Sequence, residues 1–193
     1  MKTLQQHINE RLILNKDRVQ KAENKKCIYF PKDRIELYNI IAERDYINFN
    51  EHNNDILNLN DIDTSKISEF TYIFEDFKST KININNWDFS NAKDLNGLFW
   101  ARGDIEEIYI NEVDVSNVEC FYGMFYHCRK LKTLNLNNWN IIKGNDFRHM
   151  FNSCGNLDLS FTDDWKISPE AQVEMMFHNC NYKPKWYKKF IKG

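Results

Sequence analysis

The stretch CFYGMFYHCRKLKTLNLNNW, residues 120–139, decides the fold because its pattern recurs along the chain. Taken alone it resembles a chemical site, since it holds two cysteines, a histidine and a tryptophan. However, Phe125 has equivalents at regular intervals of 25 or 26 residues. These equivalents are Phe74, Phe99, Phe151 and Phe177. We call these four residues and Phe125 the anchors. A fixed period of this length indicates stacked structural repeats.

Other positions keep the same register. The residues twelve positions before the anchors are Ile62, Trp87, Val113, Trp139 and Trp165, and those three positions after the last three anchors are Cys128, Cys154 and Cys180. Polar and apolar residues alternate in KININ (81–85), EIYIN (107–111) and TLNLN (133–137). In the last of these, Leu134 and Leu136 are expected to face inward, as in a half-buried strand.

Each unit is predicted to contain a short strand, a turn and a short helix. Ser116 and Glu119 fit a capping box, and Ser168 followed by Pro169 fits a helix start. Units of this size bury an apolar face only by stacking. The sequence therefore predicts an α/β fold: a leucine-rich-repeat solenoid of about five 25–26-residue strand–turn–short-helix units with a helical N-terminal cap.

Three stretches resemble the BspA-like leucine-rich repeat family, a repeat of Mycoplasma and Bacteroidota surface proteins of mostly unknown function. They are LNDIDTSKISEFTYIF (59–74), MFYHCRKLKTLNLNNWNI (124–141) and MFNSCGNLDLSFTDDWKIS (150–168). This chain departs from the pattern where Phe77 and Arg102 take the cysteine register, Val113 replaces tryptophan and Ile142 replaces serine. The leucines of 157–165 are also shifted out of the strand register. The resemblance implies the solenoid fold and, for some relatives, a role in adhesion.

Four segments are expected. Residues 1–26 form an amphipathic helix, with Leu4, Ile8 and Leu12 on one face, and a polar linker. Residues 27–54 form the N-terminal cap, where a helix over 33–45 is expected to bury Ile35, Tyr38, Ile41 and Ala42. Residues 55–182 hold the repeats, and 183–193 form a C-terminal cap or basic tail.

The composition limits where the protein is expected to be located and what it is expected to bind. The net charge of -2 gives no overall field for nucleic acid or an anionic membrane. No stretch resembles a signal peptide or a membrane span, so a cytoplasmic protein is expected, or a virion-associated or host-cytoplasmic one if a phage encodes it. Five cysteines in a cytoplasmic chain favour free thiols. The lysines and aromatic residues after Asn181 allow nucleic-acid binding, but a C-terminal cap explains them more simply.

No catalytic, cofactor-binding or metal-binding residue is predicted. Zinc ligands come in short pairs, whereas here one cysteine recurs in each of three units. A cysteine nucleophile needs an oriented base, and His127 has no evident acid partner. Asp63, Asp88 and Asp114 recur before serines, which suggests stacked carboxylates for calcium or glycosidase chemistry. Asparagine and lysine take the next two places, so turn and capping residues are the simpler interpretation. The chain is therefore expected not to be an enzyme.

The outward strand face is the predicted site of protein binding. Its residues are Lys81, Asn83, Asn85, Glu107, Tyr109, Asn111, Thr133, Asn135 and Asn137. Tyr109 is the residue expected to contribute most to binding a partner, and Trp100 is a second exposed candidate. The predicted function is a non-enzymatic protein–protein interaction module, with the partner's identity and the oligomeric state left open. The alternative is a structural or cargo component of an assembly such as a phage particle, docked by the N-terminal helix.

Overall fold

The computed structural model describes residues 27–51 and 56–190. In these residues the elements are helix α1 (Arg34–Glu51), strands β1 (Leu57–Asn58), β2 (Lys81–Asn83) and β3 (Glu107–Tyr109), and the short 3₁₀ helices Ser160–Thr162 and Lys185–Lys189. The amphipathic helix expected near the N-terminus lies outside the described residues.

The three strands form one parallel sheet in the order β1-β2-β3. Ile82 pairs with Leu57 on one side and with Ile108 on the other. These partners are one sequence period apart, so successive periods contribute successive strands. Ile82 and Ile108 are buried, while their strand neighbours are half-buried on the outer face. The alternation follows from the period of two that a strand imposes on its side chains.

A second ladder joins the units through single parallel bridges. The bridged residues lie five positions before each anchor. They are Glu69, Asp94, Cys120, Asp146 and Gln172. Neighbouring units therefore meet along two separate ladders of parallel pairing.

The segments around the anchors are turns and not the short helices expected from the capping signals. In every unit the residue two positions before the anchor has a positive φ, which interrupts helical geometry. These residues are Tyr72, Gly97, Gly123, His149 and Met175. Alternate N–H groups donate to carbonyls of the following unit, as from Phe99 to Met124 and from Ala101 to Tyr126. Bonds between units thus replace bonds along a helix.

The two expected helix starts also form turns. The carboxylate of Asp114 accepts the backbone N–H of Ser116 at 2.8 Å, and Ser168 Oγ accepts that of Glu170 at 3.3 Å. Glu119, expected to close the capping box, instead binds Lys93 of the preceding unit at 3.0 Å. Local side-chain bonds to the backbone stabilise turns as well as helix caps, so the motif was ambiguous.

The core is organised around the five anchors, whose rings form one continuous stack. Successive centroids are 4.8, 5.7, 5.5 and 5.7 Å apart, with interplanar angles of 15° or less. All five rings are fully buried. Buried aromatic contacts of this kind contribute about 0.5–1.5 kcal/mol per pair beyond area burial.

Helix α1 covers the N-terminal end of the core. Asp33 caps it by accepting the Glu36 N–H at 2.9 Å, and Leu37 and Ile41 are fully buried. Ile35 was expected on the buried face, but it is 71% exposed.

The buried side of α1 includes polar residues, which the spacing of apolar residues along the helix does not reveal. The Asp45 carboxylate accepts the backbone N–H groups of Lys78 and Ser79 at 2.9 and 2.7 Å. Asn48 donates to Ser79 Oγ at 3.0 Å. The helix therefore turns toward Asp45 and Asn48, since a buried polar group must find hydrogen-bond partners. This rotation leaves Ile35 in solvent.

The C-terminal segment packs on the last anchor. Tyr187 meets the ring of Phe177 edge-on at 5.0 Å, and Trp186 does so at 6.0 Å. The lysines of the 3₁₀ helix, Lys185, Lys188 and Lys189, are exposed. The aromatic residues of this segment thus face the fold, while its lysines face water.

Candidate functional site

The nine predicted strand-face residues differ in exposure along the sheet. The members from 81–85 and 107–111 are half-buried, and those from 133–137 are exposed. Between the exposed positions, Leu134 is 7% exposed and Leu136 is fully buried. The face therefore becomes more open to solvent toward its C-terminal side.

A network of charged and polar side chains crosses β2 and β3. Lys81 Nζ lies 3.2 Å from the Glu107 carboxylate, which also accepts the Tyr109 hydroxyl at 2.5 Å. The hydrogen bond from Tyr109, with the one from Lys81, lowers the pKa of Glu107. The same carboxylate raises the pKa values of Lys81 and Tyr109. This network fixes the Tyr109 ring against its own strand.

Tyr109 lies at a position of the repeat that asparagine occupies in the neighbouring units. Asn58, Asn83 and Asn135 each accept the backbone N–H two residues later, at 3.0 to 3.2 Å. These asparagines therefore stabilise the turn after each strand. Tyr109 makes no such bond among those described, and its ring instead adds aromatic surface to a polar row.

A depression of about 430 Å³ lies on this face, beside Tyr109. Five predicted strand-face residues line it, and they are Tyr109, Asn111, Thr133, Asn135 and Asn137. The other four, Lys81, Asn83, Asn85 and Glu107, do not. The remaining walls include Asp158, Ser160 and Phe161, which were not predicted.

The depression forms where regular strand pairing ends. Beyond β3, the next unit is joined to the sheet by the single bridge between Glu107 and Thr133. In the unit after that, the 3₁₀ helix Ser160–Thr162 replaces the strand. Ser160 and Thr162 stand one period after Leu134 and Leu136, and this loss of the leucine register was the sequence signal for the change, although it did not indicate a cavity.

Trp100, the second exposed candidate, is half-buried in an aromatic row on the turn face. Its ring stacks on Tyr126 with centroids 4.1 Å apart and lies 6.0 Å from that of Tyr122. It also covers Gly123, where an added Cβ would lie 2.3 Å from the ring. The ring is therefore largely engaged in intramolecular packing. The aromatic row was not predicted. Its signal in the sequence was the glycine at position 123, which leaves room for the Trp100 ring.

The recurrent cysteines bond to the backbone. The Sγ atoms of Cys128, Cys154 and Cys180 donate to carbonyls of the preceding anchors at 3.3, 2.9 and 2.9 Å. Burial raises the pKa of all three thiols, that of Cys180 to about 11. High thiol pKa values oppose both nucleophilic attack and metal ligation. In residues 27–51 and 56–190 no three His, Cys, Asp or Glu side chains are grouped as metal ligands.

The recurrent aspartates are turn residues in this structure. Asp63, Asp88 and Asp114 each accept the backbone N–H of the serine two positions later at 2.8 or 2.9 Å. Their oxygens thus stabilise turns, in agreement with the simpler of the two interpretations.

The match to known families covers most of the chain. The family described as "Mycoplasma protein of unknown function, DUF285" matches residues 46–107 and 68–190, and the chain belongs to it. No curated protein and no solved structure matches the chain. Within the described residues no helix has the length and apolar character needed to span a bilayer.

Proposed function

We propose that this protein is a non-enzymatic interaction module, a short BspA-like leucine-rich-repeat solenoid that binds another protein through its strand face. The observation that carries the proposal is the depression of about 430 Å³ beside Tyr109. Extended faces of stacked repeats are common binding surfaces. The solenoid assignment is supported by parallel pairing at the sequence period and by the continuous stack of anchors.

The chemistry of the face favours a partner segment rich in hydrogen-bonding groups. Asn111, Thr133 and Asn137 offer donors and acceptors around the Tyr109 ring. Tyr109 is held in place by Glu107, so little side-chain entropy is lost when a partner covers it. Tyrosines in such positions often dominate the binding energy of an interface.

Affinity capture with the full chain as bait, followed by mass spectrometry, tests the proposal. Tyr109→Ala is expected to reduce recovery of the captured partner at least about tenfold, as for an interface hot spot. Thr133→Ala is expected to give a smaller loss. Tyr182→Ala is a matched control, because Tyr182 is also half-buried and donates to a carboxylate, that of Asp163, at 2.6 Å.

Circular dichroism and thermal unfolding establish that each variant folds. Equal recovery by the wild type and a folded Tyr109→Ala variant would rule out this face as the binding surface. Equal losses in the Tyr109 and Tyr182 variants would point to a general effect on stability.

A further inference from the structure

A second cavity lies between the last unit and the C-terminal segment. Its volume is about 410 Å³, within the range of sites for small molecules. Three aromatic side chains, Trp165, Trp186 and Phe190, form its walls together with Ile167 and Pro169. Lys166 and Lys189 supply the charged groups of the lining. No described residue lines both this cavity and the depression beside Tyr109, so a ligand bound here would go beyond the proposed function.

The indole N–H of Trp165 is a buried donor without a hydrogen-bond partner among the described residues. Other tryptophans satisfy this group with a backbone carbonyl: Trp87 with Leu59 at 3.0 Å, Trp139 with Ile110 at 3.1 Å, and Trp186 with Thr162 at 2.8 Å. An unsatisfied buried donor is costly, and Trp165 is one of the residues that line the cavity, so a ligand that reached this group would supply the missing acceptor.

The composition of the cavity specifies the ligand class. The aromatic and aliphatic walls suit a flat apolar body, and two ammonium groups with one indole N–H suit an anionic acceptor. In the part of the chain that the structure describes, no acidic side chain belongs to the lining. We propose that this cavity binds a small planar aromatic carboxylate, with the rings between Trp165, Trp186 and Phe190 and the carboxylate toward the two lysines and the Trp165 indole.

Titration of the ¹⁵N-labelled protein, residues 1–193, with 1-naphthoate tests this site. The Trp165 indole resonance is expected to shift saturably, with Trp186 following and Trp87 unchanged. The neutral analogue 1-naphthalenemethanol has a body of similar size without the charge. It is expected to bind at least about tenfold more weakly, because hydrogen bonds to charged groups are the stronger ones.

Variants separate the indole donor from the lysines. Trp165→Phe retains a ring but removes the donor, and we expect about tenfold weaker binding of 1-naphthoate. Lys189→Met is expected to weaken binding about two- to fivefold, since Lys189 is exposed. Lys188→Met is the matched control, because Lys188 is exposed and adjacent in sequence but does not line the cavity. It should bind 1-naphthoate as the wild type does.

Several results would overturn the assignment. They are the absence of a saturable shift at Trp165, equal affinity for the neutral analogue, and equal effects of the Lys188 and Lys189 variants.

Discussion

Arg102 donates from Nη1 to the backbone carbonyl of Phe74 at 3.0 Å, where later units use a cysteine thiol for the same bond. Cys128, one period after Arg102, bonds to the carbonyl of Phe99 in this way. The guanidinium also donates to the Ser79 carbonyl at 2.6 Å, and Arg102 is only 2% exposed. A long cationic side chain thus replaces a small thiol because it satisfies two buried carbonyls at once.

The Arg102→Ala variant is expected to be less stable than the wild type by about 3 kcal/mol. The substitution removes the donors to Phe74 and Ser79 and leaves a cavity. Urea unfolding monitored by tryptophan fluorescence measures the change. Arg129→Ala is the control, since Arg129 is exposed and should cost less than about 0.5 kcal/mol. A loss in Arg102→Ala as small as that expected for Arg129→Ala would show that the buried bonds contribute little.

Gly123→Ala is expected to destabilise the fold by about 2 kcal/mol or more. Gly123 has a φ of +52°, and an added Cβ would lie 2.3 Å from the Trp100 ring, so the substitution combines backbone strain with displacement of that ring. The midpoint of thermal unfolding and the fluorescence of the native state measure these two effects.

Gly103→Ala provides the comparison for this glycine. Its φ is not in the left-handed region, and the nearest atom to an added Cβ is a backbone oxygen at an ordinary 3.5 Å. Its unfolding midpoint should change little. A Gly123 variant as stable as the Gly103 variant would contradict the role assigned to the Trp100 contact.

The sequence predicted those features that recur because the residue makes the same contact in every unit. Phe125 recurs because each anchor stacks on the next, so its period reports a contact directly. Leu134 and Leu136 alternate with polar residues because one side of their segment faces the core. The register of residues was therefore sufficient to expect buried anchors and a polar outer face.

Features that depend on backbone conformation or on polar burial were not predictable in the same way. The serine at position 116 fits a helix cap and a turn equally well, and the left-handed residues near the anchors decide between them. Ile35 is exposed because Asp45 is buried, which an apolar pattern does not register. The depression beside Tyr109 depends on where pairing ends, and the cavity at Trp165 depends on contacts far apart in sequence.

Stability is expected to fall above pH 9, partly through Cys120. Burial, with smaller contributions from Asp94 and Asp146, raises the pKa of this thiol from its ordinary 9.0 to about 12. Below pH 9 the thiol is protonated in both the folded and the unfolded state, so its contribution is fully present. Between pH 9 and 12 the unfolded chain loses the proton while the folded protein retains it, and the contribution is lost progressively as the pH rises through this interval.

Cys120→Ala isolates this effect from the titration of tyrosines and lysines over the same range. Urea unfolding of the variant and the wild type is compared at intervals from pH 8 to about pH 11. The stability of the variant should decline less steeply above pH 9, because it lacks the thiol that the unfolded state ionises. Ser116→Ala, which removes a side chain that does not titrate in this range, should follow the wild-type slope. Parallel curves for the wild type and Cys120→Ala would show that the Cys120 thiol is not held protonated by the fold.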